Sequence, residues 1–321
     1  MRVLVTGGAG YIGSIICARL LEEHHEVVAF DNLSRGHRSA VPAGTELIVG
    51  DIRDTDALIA TLRDHRCTSV IHMAALAEVG ESVSCPADYH DVNLVGTQSL
   101  IHAMQETGVR RVVFSSTAAV YGEPLSTPIT EEAPPSPSNP YGATKLAAER
   151  ALLAPGQPFA VAALRYFNAC GAYGPYGEDH RPESHLIPLA LRAVRDGRTL
   201  AVFGDDYPTP DGTCIRDYVH VLDLAAAHLS ALRRLPDCQG PCNLGTAHGA
   251  SVNEVMHTVE MVTGRPLARR VEARRPGDPA VLVADNARAA AVLGWRPRHS
   301  LADAVADAWR WLLDHPEGYA S

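Results

Sequence analysis

The sequence predicts a doubly wound α/β fold, with a parallel sheet covered by helices on both faces and a smaller, mixed α/β C-terminal part. Three observations predict it. Short β-branched runs alternate with longer amphipathic stretches through the first two-thirds of the 321 residues. The first run leads straight into a glycine-spaced turn, Gly7-Gly8-Ala9-Gly10-Tyr11-Ile12-Gly13. From Asn168 onward the alternation loosens, and Gly, Pro and Asp gather in 171–182 and 204–212, which read as loops. In chain order, strands are expected at 3–6, 27–31, 46–49, 69–72, 111–115 and 160–166. Helices are expected between them at 11–23, 54–64, 88–107 and 141–153. The Pro-rich stretch 124–140 is a loop delivering the chain to Tyr141. Further helices are expected at 186–196, 223–234, 251–263, 286–293 and 301–313. The expected division is a first domain over 1–167 and a second over 168–321, with some segments of the second returning to the first.

Composition narrows the function. A net charge of −9 argues against a nucleic-acid binder, whose footprint is basic. No apolar run reaches membrane-spanning length, and the first residues lack the apolar stretch of a secretory signal, so a cytoplasmic protein without membrane attachment is expected. The seven cysteines are odd in number and scattered. Cys238 and Cys242 lack a second ligand pair, so no metal is expected, and most cysteines read as buried small hydrophobes.

Gly7, Gly10 and Gly13 follow a strand and open a helix. Their lack of side chains lets backbone N–H groups around Tyr11 and Ile12 approach a pyrophosphate, which makes this sheet one of Rossmann type. Asp31 closes the second strand, where a carboxylate accepts from a ribose 2′-hydroxyl and repels a 2′-phosphate, favouring NAD over NADP. Asp51 and Ile52 follow the third strand as candidates for the adenine edge, and His72 to Ala75 end the fourth on the cofactor side. His72 itself reads as structural.

The chain holds 28 Lys and Arg residues, and Lys145 is the one lysine among them. Where every other cation is Arg, a solitary Lys marks a task that a planar, permanently charged fork does not perform. Tyr141 lies four residues earlier, so on a helix the two share a face. A phenol near pKa 10 is a poor base at neutral pH. An adjacent ammonium is expected to favour the phenolate and bring it into range for proton abstraction. Ser115, Ser116 and Thr117 end the fifth strand, and Thr117 is the hydroxyl expected to orient the reacting oxygen. This set points to alcohol–ketone chemistry on NAD.

Taken together, these motifs resemble the extended short-chain dehydrogenase/reductase superfamily, and within it the UDP-glucose (UDP-galactose) 4-epimerases. The resemblance runs essentially end to end. It rests also on Val79-Gly80-Glu81-Ser82, Ala119-Val120-Tyr121-Gly122 and Arg165-Tyr166-Phe167-Asn168, then on Asp206-Tyr207-Pro208-Thr209 and Asp211-Gly212-Thr213. Arg216-Asp217-Tyr218-Val219-His220-Val221, Arg274-Arg275-Pro276-Gly277-Asp278 and the tail from Trp309 to Pro316 complete it.

The resemblance implies NAD-dependent inversion at C4 of a nucleotide-diphosphate hexose, through a 4-keto intermediate, in a homodimer. It assigns Tyr141, Lys145 and Thr117 to catalysis. Asn32, Met73, Ala74, Ala75, Ser115, Tyr166 and Phe167 join the cofactor contacts. Asn168, His185, Leu186, Arg216, Tyr218, Arg275 and Asp278 join the substrate contacts, with Ala201, Val202 and Phe203 lining the base pocket and Leu282 facing the sugar.

Four positions depart from the family's usual pattern. Ala77 replaces a second cofactor-contacting Lys, so looser retention of NAD is expected. Thr117 replaces Ser but keeps the hydroxyl. His185-Leu186 stands where many members have Asn-Leu, and Leu282 leaves room at the sugar's C2 for an N-acetylhexosamine. Ala118 and Ala119 follow Thr117 where a nucleotide-sugar dehydratase carries an acid, which counts against elimination. Another nucleotide sugar, or an oxidoreductase with net NADH release, stays open at this level.

Overall fold

Hydrophobic β-branched runs that are buried on both faces assemble as a parallel sheet, because helices then cover each side. The computed structural model describes residues 1–275 and 278–320. Its first six strands are β1 (Arg2–Thr6), β2 (Glu26–Asp31), β3 (Glu46–Val49), β4 (Ser69–His72), β5 (Arg111–Thr117) and β6 (Ala160–Tyr166). They pair in parallel in the order β3-β2-β1-β4-β5-β6. The chain therefore reverses its direction of growth between β1 and β4, the place where such sheets open a crevice for ligand.

Helices α1 (Tyr11–Glu22) and α2 (Thr55–Asp64) connect the first strands; Asp54 caps α2 by accepting from Ala57 N–H at 3.0 Å. A short α3 (Val79–Ser84), absent from the sequence expectation, follows β4. The single helix expected at 88–107 is three pieces: α4 (Pro86–Tyr89), a π-helical turn at His90–Val95 and α5 (Gly96–Thr107). The wide turn carries the buried Asn93. Its side chain accepts from Leu76 N–H at 2.8 Å and donates to Leu76 O and Thr144 Oγ1, so a tertiary demand distorts a regular helical signal. Helix α6 (Pro140–Leu152) begins with Asn139 accepting from Gly142 N–H and Pro at its first position.

After β6 the chain builds smaller layers. β7 (Asn168–Cys170) pairs with β9 (Ile215–His220), which also takes β11 (Gly249–Ser251) and β13 (Val281–Leu282); β8 (Leu200–Phe203) pairs with β12 (Arg269–Glu272). Helices α7 (Leu186–Asp196), α9 (Val252–Thr263) and α10 (Leu301–Asp314) share a core with them that includes Leu191, Val202, Val255 and Leu312. Helix α8 (Val221–Arg234) instead packs into the core of the first sheet through Leu224, Leu229 and Leu232. The strand β10 (Gly240–Leu244) adds a seventh member beside β6. Its Gly-Pro start hides it from a propensity reading, yet Pro is tolerated on an edge strand. The helix expected at 286–293 takes its final form as a π-helical turn, Ala289–Leu293. No helix among the described residues is long and apolar enough to cross a membrane.

Candidate active site

One cavity of about 880 Å³ runs from the glycine turn to the β8 edge, between the carboxyl ends of the first strands and the smaller layers. At its first end, Gly7 N–H makes the last bond of the β1–β2 ladder, to Phe30 O at 2.8 Å, and Gly10 N–H then closes the turn on Gly7 O at 3.1 Å. Gly7 has φ +72°, and a Cβ there would meet Ala74 N at 2.7 Å; one on Gly13 would meet Gly7 O at 2.1 Å. Only glycine allows α1 to approach the loop so closely. Gly10 caps α1 without a side chain, leaving the first-turn N–H groups for an anion. Asp31 accepts from Ala9 N–H at 3.0 Å and Leu33 N–H at 2.8 Å, which orients its carboxylate at the cavity wall. Burial pushes its pKa up, while the two N–H donors pull it down. A glycine cradle, an open helix N-terminus and an oriented carboxylate fit NAD.

The centre of the cavity brings Thr117, at the end of β5, against Tyr141 and Lys145 on α6. Tyr141 packs edge-on against Tyr89, with ring centroids 6.4 Å apart. Lys145 is 2 % exposed, with Nζ 4.4 Å from the centre of the Phe114 ring. The electrostatics differ from the sequence expectation. Burial raises the Tyr141 phenol above its ordinary pKa, and the opposing influence is a hydrogen bond with Thr117 rather than the Lys145 ammonium. Lys145 is itself depressed to about 7 by burial, against the pull of Glu149. Burial thus moves the Lys145 pKa toward neutrality and that of the Tyr141 phenol further from it.

The solitary lysine makes this testable. An amine acylating reagent can modify only Lys145 and the α-amino group. In protein freed of nucleotide, modification of Lys145, followed by peptide mass spectrometry, is expected to rise with a midpoint near pH 7. A midpoint near 10, as for an exposed lysine, would contradict the depressed value.

Glu149, which sequence reasoning missed, lies one further turn along the same face of α6. Its carboxylate is gripped by Arg165 through Nε, at 3.0 Å, and Nη2, and by Ser116 Oγ at 2.6 Å. Arg165 Nη1 also donates to Tyr121 OH at 2.9 Å, and Tyr121 OH donates to Asn243 Oδ1 at 2.7 Å. The i+4 spacing from Lys145 was the signal that could have found it. Histidine 72 is structural, as expected: its ring nitrogens lie 2.7 Å from Thr6 Oγ1 and 3.0 Å from Thr97 Oγ1, and burial depresses its pKa to about 3.

At the far end, Arg275 lies over the Phe203 ring, 4.0 Å from its centre, and Arg216 pairs with Asp278. Pro276 and Gly277 of the same motif lie outside the described residues. Asp217 anchors this region, its buried carboxylate accepting from Thr246 N–H at 2.8 Å and from Ala247 and Ala284 N–H, each at 3.2 Å. The cavity brings together all the residues marked from the sequence except Asp51. Asp51, just after β3, accepts from the Arg53 backbone N–H at 2.9 Å, from the Arg53 guanidinium at 2.8 Å on each oxygen, and from Asn32 Nδ2 at 3.2 Å. Ile52 and Asn32 line the cavity without it, and so does Ala77. Sequence reasoning also missed Glu178, His180 and Tyr319 on its wall.

A parallel sheet whose glycine turn, carboxylate and Tyr–Lys helix open on one cavity defines a nicotinamide-dependent enzyme of alcohol–ketone chemistry. The chain belongs to the NAD dependent epimerase/dehydratase family, whose model matches residues 3–245. It is 49% identical to a UDP-glucose 4-epimerase of Streptomyces lividans, over 99% of this chain and 98% of that one. It is 48% identical to the UDP-glucose 4-epimerase of Halalkalibacterium halodurans, over 100% and 98%. The structure is similar to that of UDP-glucose 4-epimerase from Brucella ovis in complex with NAD, with TM-score 0.92 and 46% identity over 97% and 98% of the two chains.

Proposed function

We propose that the protein interconverts UDP-glucose and UDP-galactose by NAD-dependent inversion at C4, through a 4-keto sugar. The observation that carries this is the meeting of Thr117, Tyr141 and Lys145 midway between a dinucleotide cradle and a second, arginine-bearing recess. Tyr141 removes the proton of the sugar 4-hydroxyl and returns it after the ring has turned. Thr117 holds O4 and the phenol in one hydrogen-bonded line, and Lys145 steadies the phenolate. Bound NAD supplies the acceptor and later the donor for the C4 hydrogen, so oxidation and reduction cancel within one turnover. Arg216 and Arg275 hold the diphosphate, for which a guanidinium fork is suited, and Asn168 and Asp278 assist. Ala201, Val202, Phe203 and Leu186 receive the base, with residues 168–321 acting mainly as the substrate half. The absence of an acid at Ala118 and Ala119 favours inversion over elimination.

Purified protein given UDP-galactose and NAD⁺ is expected to yield UDP-glucose without net NADH. Accumulating NADH, or a deoxy-keto sugar, would sink the assignment. Leu282, half-buried on the cavity wall, extends the proposal to N-acetylhexosamines. UDP-GlcNAc in the same assay decides that extension, and no epimerisation retires it. A homodimer is also proposed, to be read by light scattering.

A further inference from the structure

We infer that Glu178, His180, Glu183 and His185 form a closed site for one divalent transition-metal ion, with Zn²⁺ the fitting occupant. The four side chains come from the loop between β7 and α7, and each offers a ligand atom within 4.8 Å of all the others. His185 Nδ1 lies 2.8 Å from Glu178 Oε1 and 3.1 Å from Glu183 Oε1. Tetrahedral zinc with bonds of about 2.0–2.1 Å spaces its ligands roughly 3.4 Å apart. From separations of at most 4.8 Å, the ligand atoms need to draw together by no more than about 1.4 Å.

Two atoms point independently to a ligand. His180 Nδ1 is buried 3.1 Å from Glu178 Oε1 and 3.9 Å from Glu78 Oε1, yet it makes a hydrogen bond to neither. Glu183 Oε2 is likewise buried without a hydrogen bond, in a side chain only 2 % exposed. Its nearest cation, Arg192, stands 3.8 Å away, beyond bonding distance. Unpartnered buried polar atoms are costly, and four groups converging on one point share a single remedy. Two imidazole nitrogens and two carboxylate oxygens suit Zn²⁺, whereas a hard cation such as Ca²⁺ takes oxygen ligands alone.

All four ligand positions are supplied by the protein, so the ion is structural and leaves no position for substrate. Its place explains its use. The His180 ring stands edge-on to Tyr11 of the glycine turn, centroids 6.4 Å apart, and His185 immediately precedes α7. The ion would clasp the loop that bridges the cofactor and nucleotide ends of the cavity. This departs from the expectation of no metal, which considered cysteine spacing; the Glu-x-His-x-x-Glu-x-His pattern was the overlooked signal.

The test needs no turnover and so stands apart from the proposed reaction. Tag-free protein, stripped with chelator and dialysed against Zn²⁺, is expected to retain one zinc per chain by mass spectrometry. Co²⁺ in its place is expected to give the intense visible bands of a tetrahedral centre. His180→Ala and Glu183→Gln should each weaken Zn²⁺ binding by more than the ~10–100-fold that loss of a supporting residue costs. Substoichiometric zinc, a pale six-coordinate Co²⁺ spectrum, or undiminished binding in folded variants would overturn the site. The wild-type cobalt spectrum decides alone if a variant fails to fold.

Discussion

Lys145→Arg is expected to lower kcat by about 10²-fold or more, while the protein keeps its fold and its KM for UDP-galactose changes little. General acid–base assistance contributes roughly 10²–10⁴-fold, and the pair Tyr141–Lys145 carries it here. The substitution keeps a positive charge, so charge alone does not explain the loss. Lys145 occupies a slot 2 % exposed over Phe114, where its amine is depressed to about 7. A guanidinium is wider, planar and permanently charged, and it does not reproduce one compact ammonium at that point. Steady-state kinetics with circular dichroism as the folding control reads the result. Near-normal kcat in the variant would remove Lys145 from the mechanism.

Glu149→Ala is expected to destabilise the protein by about 3–5 kcal/mol, the usual consequence of removing one partner from a buried ion pair. The Arg165 side chain, 5 % exposed, would keep only its Tyr121 contact, and Ser116 would lose its acceptor. Glu149→Gln separates charge from shape. It retains a hydrogen-bonding side chain of the same size, yet it removes the influence that raises the Lys145 pKa. The sign follows directly: without the negative neighbour the Lys145 ammonium is less favoured, so its acylation midpoint should move below that of the wild type. Urea denaturation measures the first effect and the labelling profile the second. An unchanged midpoint in Glu149→Gln would show that α6 does not transmit this charge to Lys145.

The two ends of the cavity differ in how readable they are from sequence. Gly7, Gly10 and Gly13 announce themselves because a local steric requirement, close approach of backbone to ligand, has a local sequence solution. Tyr141 and Lys145 share one helix face, so their spacing reveals them. The β10 strand does not, since Gly240-Pro241 opposes it locally while pairing with β6 and the bonds of Asn243 outweigh propensity. The π-helical turn at His90–Val95 is equally invisible, because Asn93 must reach Leu76 and Thr144 on other elements. The clasp of Asp51 by Arg53 and Asn32 is equally unreadable, a set of rotamer choices that no spacing rule records.

The sequence by itself determined the first six strands in order, the glycine cradle, the Asp31 carboxylate and the face of α6 that Tyr141 shares with Lys145. Each depends on the backbone's own periodicity or on contacts within a few residues. Only the tertiary structure decided the rest: the burial that brings Lys145 to about 7, the Glu149–Arg165 knot beneath it and the convergence of Glu178 to His185. Those properties arise from desolvation and from side chains meeting across long chain separations. Both depend on which surfaces lose water together, and a one-dimensional pattern does not carry that information.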